Sequence, residues 1–136
     1  MNHLPDKALS IRQPWVWAIL NAGKRIENRP RRFHYRGPIC LHASSTLRSI
    51  EFMESCQSIK AITASKAATP TLKSAREWLN LGGIVGTAEI VDCIETSDDP
   101  WFFGPFGLVL ENVQPVEYIP VKGALGLFNW KERLCQ

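Results

Sequence analysis

The longest strand-like segment, residues 84–94, constrains the fold of this chain more than any other feature. It is rich in β-branched residues and is bounded by residues that favour turns. Residues 106–113 and 115–121 predict two further strands, and Ala8–Ile11 and Ile39–Ala43 predict two short apolar ones. The pattern therefore predicts a protein built around a β-sheet.

Three other segments have helical character. Pro14 fits the first turn of a helix that Gly23 ends, and residues 45–61 and 71–81 carry apolar residues at helical spacing. The first helix has an apolar face formed by Trp15, Ala18, Ile19 and Ala22. The order of strand, helix, strands, helices and strands lacks the regular alternation of a parallel sheet. We therefore expect an α+β fold, a small mixed or antiparallel β-barrel with helices packed on its outside.

Length and composition are those of a single globular domain over residues 1–136. The chain is 45% apolar and 21% charged, which excludes a disordered segment, a collagen-like fibre and a coiled-coil rod. No apolar stretch approaches the roughly 20 residues of a membrane-spanning helix. No signal peptide is evident at the amino terminus. We expect a cytoplasmic protein with no membrane partner.

The cysteines and histidines predict neither a metal site nor a cofactor. The four cysteines, at 40, 56, 93 and 135, form no C-x-x-C pair, and the three histidines have no zinc-site spacing. Cys40 and Cys93 lie in apolar runs, where a reduced thiol behaves as a small apolar group. The cysteines are predicted to be reduced thiols.

Positive charge is concentrated in one segment, residues 24–36. The whole chain carries a net charge of +3, and this segment holds six basic residues against one acid, Glu27, so that the remainder is net acidic. The six are Lys24, Arg25, Arg29, Arg31, Arg32 and Arg36. Such a strip is typical of proteins that bind polyanions, although a solvated hairpin without a partner has the same pattern.

Within this basic strip, three charged residues have the spacing of a functional cluster. Alternation along an extended segment places Arg25, Glu27 and Arg29 on one face and directs Ile26 to the core. Lys24 joins Glu27 only if it lies in the loop after Gly23. Glu27 could read a base edge or act as a general base, or it could form a simple ion pair with its basic neighbours.

Three segments resemble the ASCH domain family, a branch of the PUA-like superfamily: Leu9–Trp15, Gly23–Arg29 and Tyr35–Pro38. The family motif is G-x-K-x-x-E-x-R, whose last three named residues match Lys24, Glu27 and Arg29. Ala22 replaces its first glycine, and a glycine follows one place later. Residues 103–107 and 120–128 are also similar to segments of small bacterial members, so the resemblance covers about residues 8–130.

The resemblance implies a PUA-like barrel with a cleft between the barrel and the first helix, where the motif residues lie. It also implies binding of RNA or of modified nucleosides. Some small members resemble ribonucleases, and others resemble amidohydrolases that remove an acetyl group from acetylcytidine. The amidohydrolase branch carries threonine at the position of Glu27, so that this activity would rest on Lys24 alone.

Aromatic residues interleave with the arginines of the basic strip. Phe33, His34 and Tyr35 lie between Arg32 and Arg36, and rings beside cations suit single-stranded RNA. The alternative is that Phe33 belongs to the core and that the arginines form a solvated rim.

Four further residues are candidates for the cleft. Trp15 and Trp17 point to different sides of the first helix, so one is expected in the core and the other in the cleft. Helical periodicity favours Trp15 for the core, but Trp15 lies in a family segment, and the choice stays open. Gln13 is either a helix cap or a base-reading amide, and Lys122 could contact a phosphate from the opposite wall.

We predict a protein that binds RNA or a nucleotide, and a ribonuclease on single-stranded RNA if it is an enzyme. In that case Lys24 would stabilise charge on the phosphorane, Glu27 would move protons and Arg29 would hold the neighbouring phosphate. The alternatives are an acetylcytidine amidohydrolase and a binding module without chemistry. Binding is placed ahead of any particular catalysis.

Overall fold

The computed structural model describes residues 3–64 and 79–135. Its strands and helices are β1 (Lys7–Ile11), α1 (Trp15–Asn21), β2 (Ile26–Arg29), β3 (Gly37–Ala43), α2 (Ser49–Thr63), β4 (Gly83–Ile94), β5 (Phe106–Pro120) and β6 (Leu127–Asn129), followed by a 3₁₀ helix, Trp130–Cys135. The predicted helix over 71–81 falls largely on residues 65–78, which lie outside the described residues.

The described strands form one mixed sheet in the order β2-β5-β4-β3-β1-β6. The pair of β1 and β3 is parallel, and all other neighbours are antiparallel. The sheet curls into a half-barrel, with the helices packed on its outside. The predicted α+β class and barrel-like architecture are confirmed.

The two strands predicted over 106–113 and 115–121 are one continuous strand, β5. Asn112 adopts a left-handed conformation, and the register against β4 shifts around it, so a bulge lets pairing continue. Pro115 is tolerated because β2 pairs only with Phe106–Val109, and among the described strands none covers the other edge of β5 beyond that point.

The core lies between α1 and the sheet. Val16 and Ile19 of α1 are fully buried against Leu9, Leu41 and Leu108 of three strands. On α2, a stripe at helical spacing formed by Phe52, Cys56 and Ile59 is buried. The loop before α1 and the start of this helix remain available to form a site.

Within the described residues, no helix is both long and apolar enough to cross a membrane. The same part of the chain contains no cluster of three or more His, Cys, Asp or Glu side chains that could hold a metal ion. Cys40 and Cys93 are buried, and burial raises the pKa of the Cys40 thiol to about 11.

Candidate functional site

A cleft of about 890 Å³ opens beside the start of α1, a size that suits a ligand of one to two nucleotides. Its walls come from β1, β2, the loop after β3 and the loop before β6. The lining residues are Ser10, Ile11, Arg12, Trp15, Glu27, Asn28, Arg29, Pro30, His42, Ser44, Ser45, Thr46, Glu51, Gly123, Ala124, Leu125 and Gly126. The cleft is thus built mainly from loops at one end of the sheet.

Lys24 lies in the loop after Gly23. The sequence predicts that Lys24 can reach Glu27 only from this position. Gly23 has a φ of +76°, which ends α1 and turns the chain. The Lys24 ammonium group donates to the carbonyl oxygen of Ile26 and, at 3.2 Å, to Glu27 Oε1. The Nζ atom also lies 5.5 Å from the centroid of the Trp15 ring. The predicted pairing of Lys24 with Glu27 is therefore present.

Burial changes the role that Lys24 can have. Only 1% of the residue is exposed and it does not line the cleft, so its ammonium group does not reach a ligand phosphate as the sequence analysis expected. Burial lowers the pKa of Lys24, and the neighbouring Glu27 carboxylate opposes part of that shift. Lys24 contacts Glu27, and its Nζ atom lies over the Trp15 ring. This geometry allows Lys24 to position both side chains.

Glu27 is the carboxylate of the cleft floor and is held from two sides. Arg29 approaches Glu27 Oε2 with both Nε and Nη2 at 3.1 Å, and Arg29 Nη2 donates to the Ser10 carbonyl oxygen at 2.9 Å. A carboxylate offers about four lone-pair sites. Lys24 uses one site on Oε1, so this oxygen has capacity for a donor from a ligand. We call Lys24, Glu27 and Arg29 the buried triad.

The structure places Trp15, not Trp17, on the cleft. Trp17 is buried in a cluster with Ala18, Ile26 and Ile59, whereas the half-buried Trp15 lines the cleft. Periodicity favoured the reverse because α1 is only seven residues long and is covered on two sides. Trp17 therefore does not line the cleft.

Both polar atoms of the Gln13 side chain form hydrogen bonds within the protein. Its Oε1 accepts from the Trp17 backbone N–H at 2.9 Å, and its Nε2 donates to the Asn80 carbonyl oxygen at 3.3 Å. Of the two alternatives, the structure therefore favours the cap over the base-reading amide. By this cap, Gln13 fixes the start of α1 and, with it, Trp15.

Arg12 and Glu51 form an ion pair at the mouth of the cleft that sequence reasoning missed. Arg12 Nη1 lies 2.7 Å and 2.9 Å from the two carboxylate oxygens of Glu51, and both side chains are more than 40% exposed. The residues are 39 positions apart, and no local spacing could have joined them. The available signal was that Arg12 lies inside the family segment Leu9–Trp15.

Ser10 and His42 form a second polar contact that the sequence did not reveal. His42 Nε2 lies 2.7 Å from the Val121 carbonyl oxygen, which can only accept, so Nε2 carries the proton of the neutral ring. Nδ1 then accepts from Ser10 Oγ at 2.9 Å. Gly123 packs against this pair, since a Cβ there would lie 2.7 Å from His42 Cε1. The contact fixes the wall opposite α1.

Most of the basic strip lies outside the cleft. Arg25 donates to the Ile19 and Lys24 carbonyl oxygens, and Tyr35 donates to that of Pro38. These contacts bind the two side chains to the backbone of their own region, and neither residue lines the cleft. Arg25 is thus separated from Glu27 and Arg29, with which the sequence analysis had grouped it.

The remaining basic candidates are exposed. Arg32 pairs with Glu95 at 3.0 Å, and the weaker contact of Arg36 with Asp92 is 3.9 Å long. Arg31 follows Pro30, which lines the cleft. The candidate on the opposite wall, Lys122, lines a second, smaller pocket of about 620 Å³.

More than half of the chain matches the model of a known protein family. The family model of the ASCH domain matches residues 9–103, which include all of the buried triad, Trp15 and Arg12. No curated protein matches the sequence. The matched segment runs from β1 to the loop before β5 and therefore carries most of the cleft. The chain belongs to the ASCH domain family, and this membership indicates an RNA-binding or related function.

Proposed function

We propose that the cleft binds a nucleotide unit of RNA, with its base stacked on Trp15. The observation that carries the proposal is that this indole lines the same cleft as Glu27 and Arg29. A flat ring beside fixed hydrogen-bonding groups is the arrangement by which proteins hold an unpaired base, because the ring supplies stacking and the polar groups orient the edge.

The polar contacts divide between the base and the phosphate. Glu27 Oε1, which has a lone pair left, is the acceptor for an N–H group on the base edge. Arg12 is the phosphate contact, since its partner Glu51 is exposed and an exposed ion pair contributes only about 0–1 kcal/mol. A phosphate that displaces Glu51 would meet a planar guanidinium suited to two hydrogen bonds.

The exposed arginines of the basic strip are proposed as outer phosphate contacts. Pro30 lines the cleft and leads directly to Arg31, and Arg32 and Arg36 lie just beyond. The acidic partners of Arg32 and Arg36 are themselves largely exposed, so exchange of these partners for phosphates is inexpensive. These contacts add affinity without reading sequence.

Cleavage of the bound strand is a second candidate function, and Glu27 is the observation that favours it. Its carboxylate lines the cleft, and the lone pair left on Oε1 would accept the proton of an attacking hydroxyl group. Arg29 lies beside it and would stabilise developing negative charge, while Lys24 would act only by positioning Glu27. The amidohydrolase alternative is not favoured, because the Lys24 on which it rests is buried and paired.

The proposal is tested by the fluorescence anisotropy of a dye-labelled single-stranded RNA hexamer. Trp15→Ala is expected to lower affinity about 5- to 150-fold, since stacking of one base contributes about 1–3 kcal/mol. Trp15→Phe should recover part of the loss. Ile50→Ala is the matched control, because Ile50 is 74% exposed on α2 and does not line the cleft.

Electrophoresis of the same RNA tests for cleavage with the wild-type protein and Glu27→Gln. Loss of a single general base is expected to slow turnover about 10²- to 10⁴-fold with affinity little changed. If the RNA stayed intact with the wild-type protein, cleavage would be refuted and the protein would be a binding module without catalytic activity. Equal affinity of Trp15→Ala and the wild type would contradict the binding site itself.

A further inference from the structure

Phe103 is an aromatic residue whose ring is largely exposed and is not part of the buried core. Four large apolar residues among those described are strongly exposed, and Phe103, at 53%, is the aromatic one. It lies in the loop between β4 and β5, next to the cleft. A single exposed ring is common on protein surfaces, so it is the position of Phe103 beside the Trp15 ring of the cleft that points to a role in binding.

The Phe103 ring continues the surface that Trp15 begins. The centroids of the two rings are 5.7 Å apart, and their planes are inclined at 62°. Trp15 lines the cleft, and Phe103 lies beyond its edge. Two adjacent rings at this angle offer separate faces to two bases, which then cannot stay stacked on each other in parallel planes.

The loop that carries Phe103 is held in place by a residue of the cleft itself. Asn28 Oδ1 accepts from the backbone N–H groups of Phe103 at 2.8 Å and Gly104 at 3.1 Å, while Asn28 Nδ2 donates to the Trp101 carbonyl oxygen at 3.0 Å. Asp99 Oδ1 accepts from the Trp101 N–H at 2.8 Å. The ring therefore lies on an ordered loop, and binding costs little conformational entropy in that loop.

We infer that Trp15 and Phe103 together hold two successive bases, so that the cleft binds single-stranded RNA more tightly than a free nucleotide or nucleoside. This inference rests on the proposed function, since it takes Trp15 as the first stacking ring. A duplex is excluded as ligand, because its bases are paired and stacked within the helix. The basic strip beyond Pro30 then meets the flanking phosphates of the same strand.

The experiment measures the affinity of Phe103→Ala for a cytidine mononucleotide and for a single-stranded RNA hexamer. Loss of one stacked base is expected to weaken hexamer binding about 5- to 150-fold and to leave mononucleotide binding unchanged. Phe103→Tyr, which keeps the ring, should restore hexamer binding. The exposure of Phe103 lets the variant fold, and circular dichroism checks this.

Three other outcomes would overturn the inference, and they differ from one another. If Phe103→Ala bound the hexamer as tightly as the wild type while Trp15→Ala bound it more weakly, the proposed function would stand. The second stacked base at Phe103 would be refuted. An equal loss for mononucleotide and hexamer would make Phe103 a support for Trp15 only. Absence of binding to either ligand by the wild-type protein would contradict the proposed function and the inference together.

Discussion

Replacement of Lys24 by methionine is expected to destabilise the protein strongly, although the side chain has nearly the same length and is more apolar. Lys24 and Glu27 are 1% and 10% exposed at their side chains, so neither charge is well solvated. Removal of one partner of a buried ion pair costs about 3–5 kcal/mol, because the other charge stays buried. Glu27 keeps Arg29, which places the expected loss near the lower limit, about 3 kcal/mol.

Urea unfolding followed by circular dichroism measures this loss. With a slope of about 1.5 kcal/mol per molar urea, the midpoint should fall by about 2 M. The matched control is Lys24→Met combined with Glu27→Leu, which removes both charges of the pair. It should regain part of the stability, because Arg29 then loses its carboxylate partner but keeps the Ser10 carbonyl oxygen. A loss below about 1 kcal/mol in Lys24→Met would refute the reasoning, since that is the value for a pair that water reaches.

Two more predictions concern the polar contacts of the cleft. Glu51→Gln should raise affinity for the RNA hexamer up to about fivefold, because it releases Arg12 at a cost of about 1 kcal/mol or less; anisotropy that shows equal or weaker binding would contradict the phosphate role of Arg12. Burial lowers the pKa of His42 below its ordinary 6.5, so the unfolded chain takes up this proton more readily than the folded one. The stability that His42 contributes is therefore fully present above pH 6.5 and is lost as pH falls through its folded-state pKa. The urea midpoint should fall between pH 7.5 and pH 5.5, and this fall should be smaller in His42→Gln than in the wild type. An equal fall in both proteins would refute the contribution of His42 to the pH dependence.

Local chemistry was sufficient to predict most of the strands and the start of α1, and it offered an ion pair of Glu27 with its basic neighbours as one alternative. Gly23 ends the helix because it can take a positive φ, and Lys24 then lies in a loop from which its side chain turns back to Glu27. Residues 84–94 were predicted as a strand from their β-branched content, and β4 covers Gly83–Ile94. These are interactions between residues that are near one another in sequence, which is why a pattern could reveal them.

The missed features depend on contacts between distant residues. Arg12 meets Glu51 across 39 positions and Ser10 meets His42 across 32, so only the curled sheet brings them together. Helical periodicity favoured Trp17 for the cleft and left the choice open, because a pattern cannot show that all four residues Val16–Ile19 are buried. A short helix with two covered sides has no single apolar stripe, and its pattern cannot show which tryptophan faces the cleft.

The energetics of the buried triad indicate what it contributes to the site. A buried ion pair is often no more stabilising than apolar residues of similar volume, so folding alone does not require one here. What apolar residues could not supply is a carboxylate with a lone pair left on one oxygen and the other oxygen fixed by Arg29. The variant with both Lys24→Met and Glu27→Leu separates these roles, since it lacks the carboxylate but should be more stable than Lys24→Met alone. If it bound the RNA hexamer as tightly as the wild type, Glu27 would have no part in recognition, and Trp15 and Arg12 would account for the site alone.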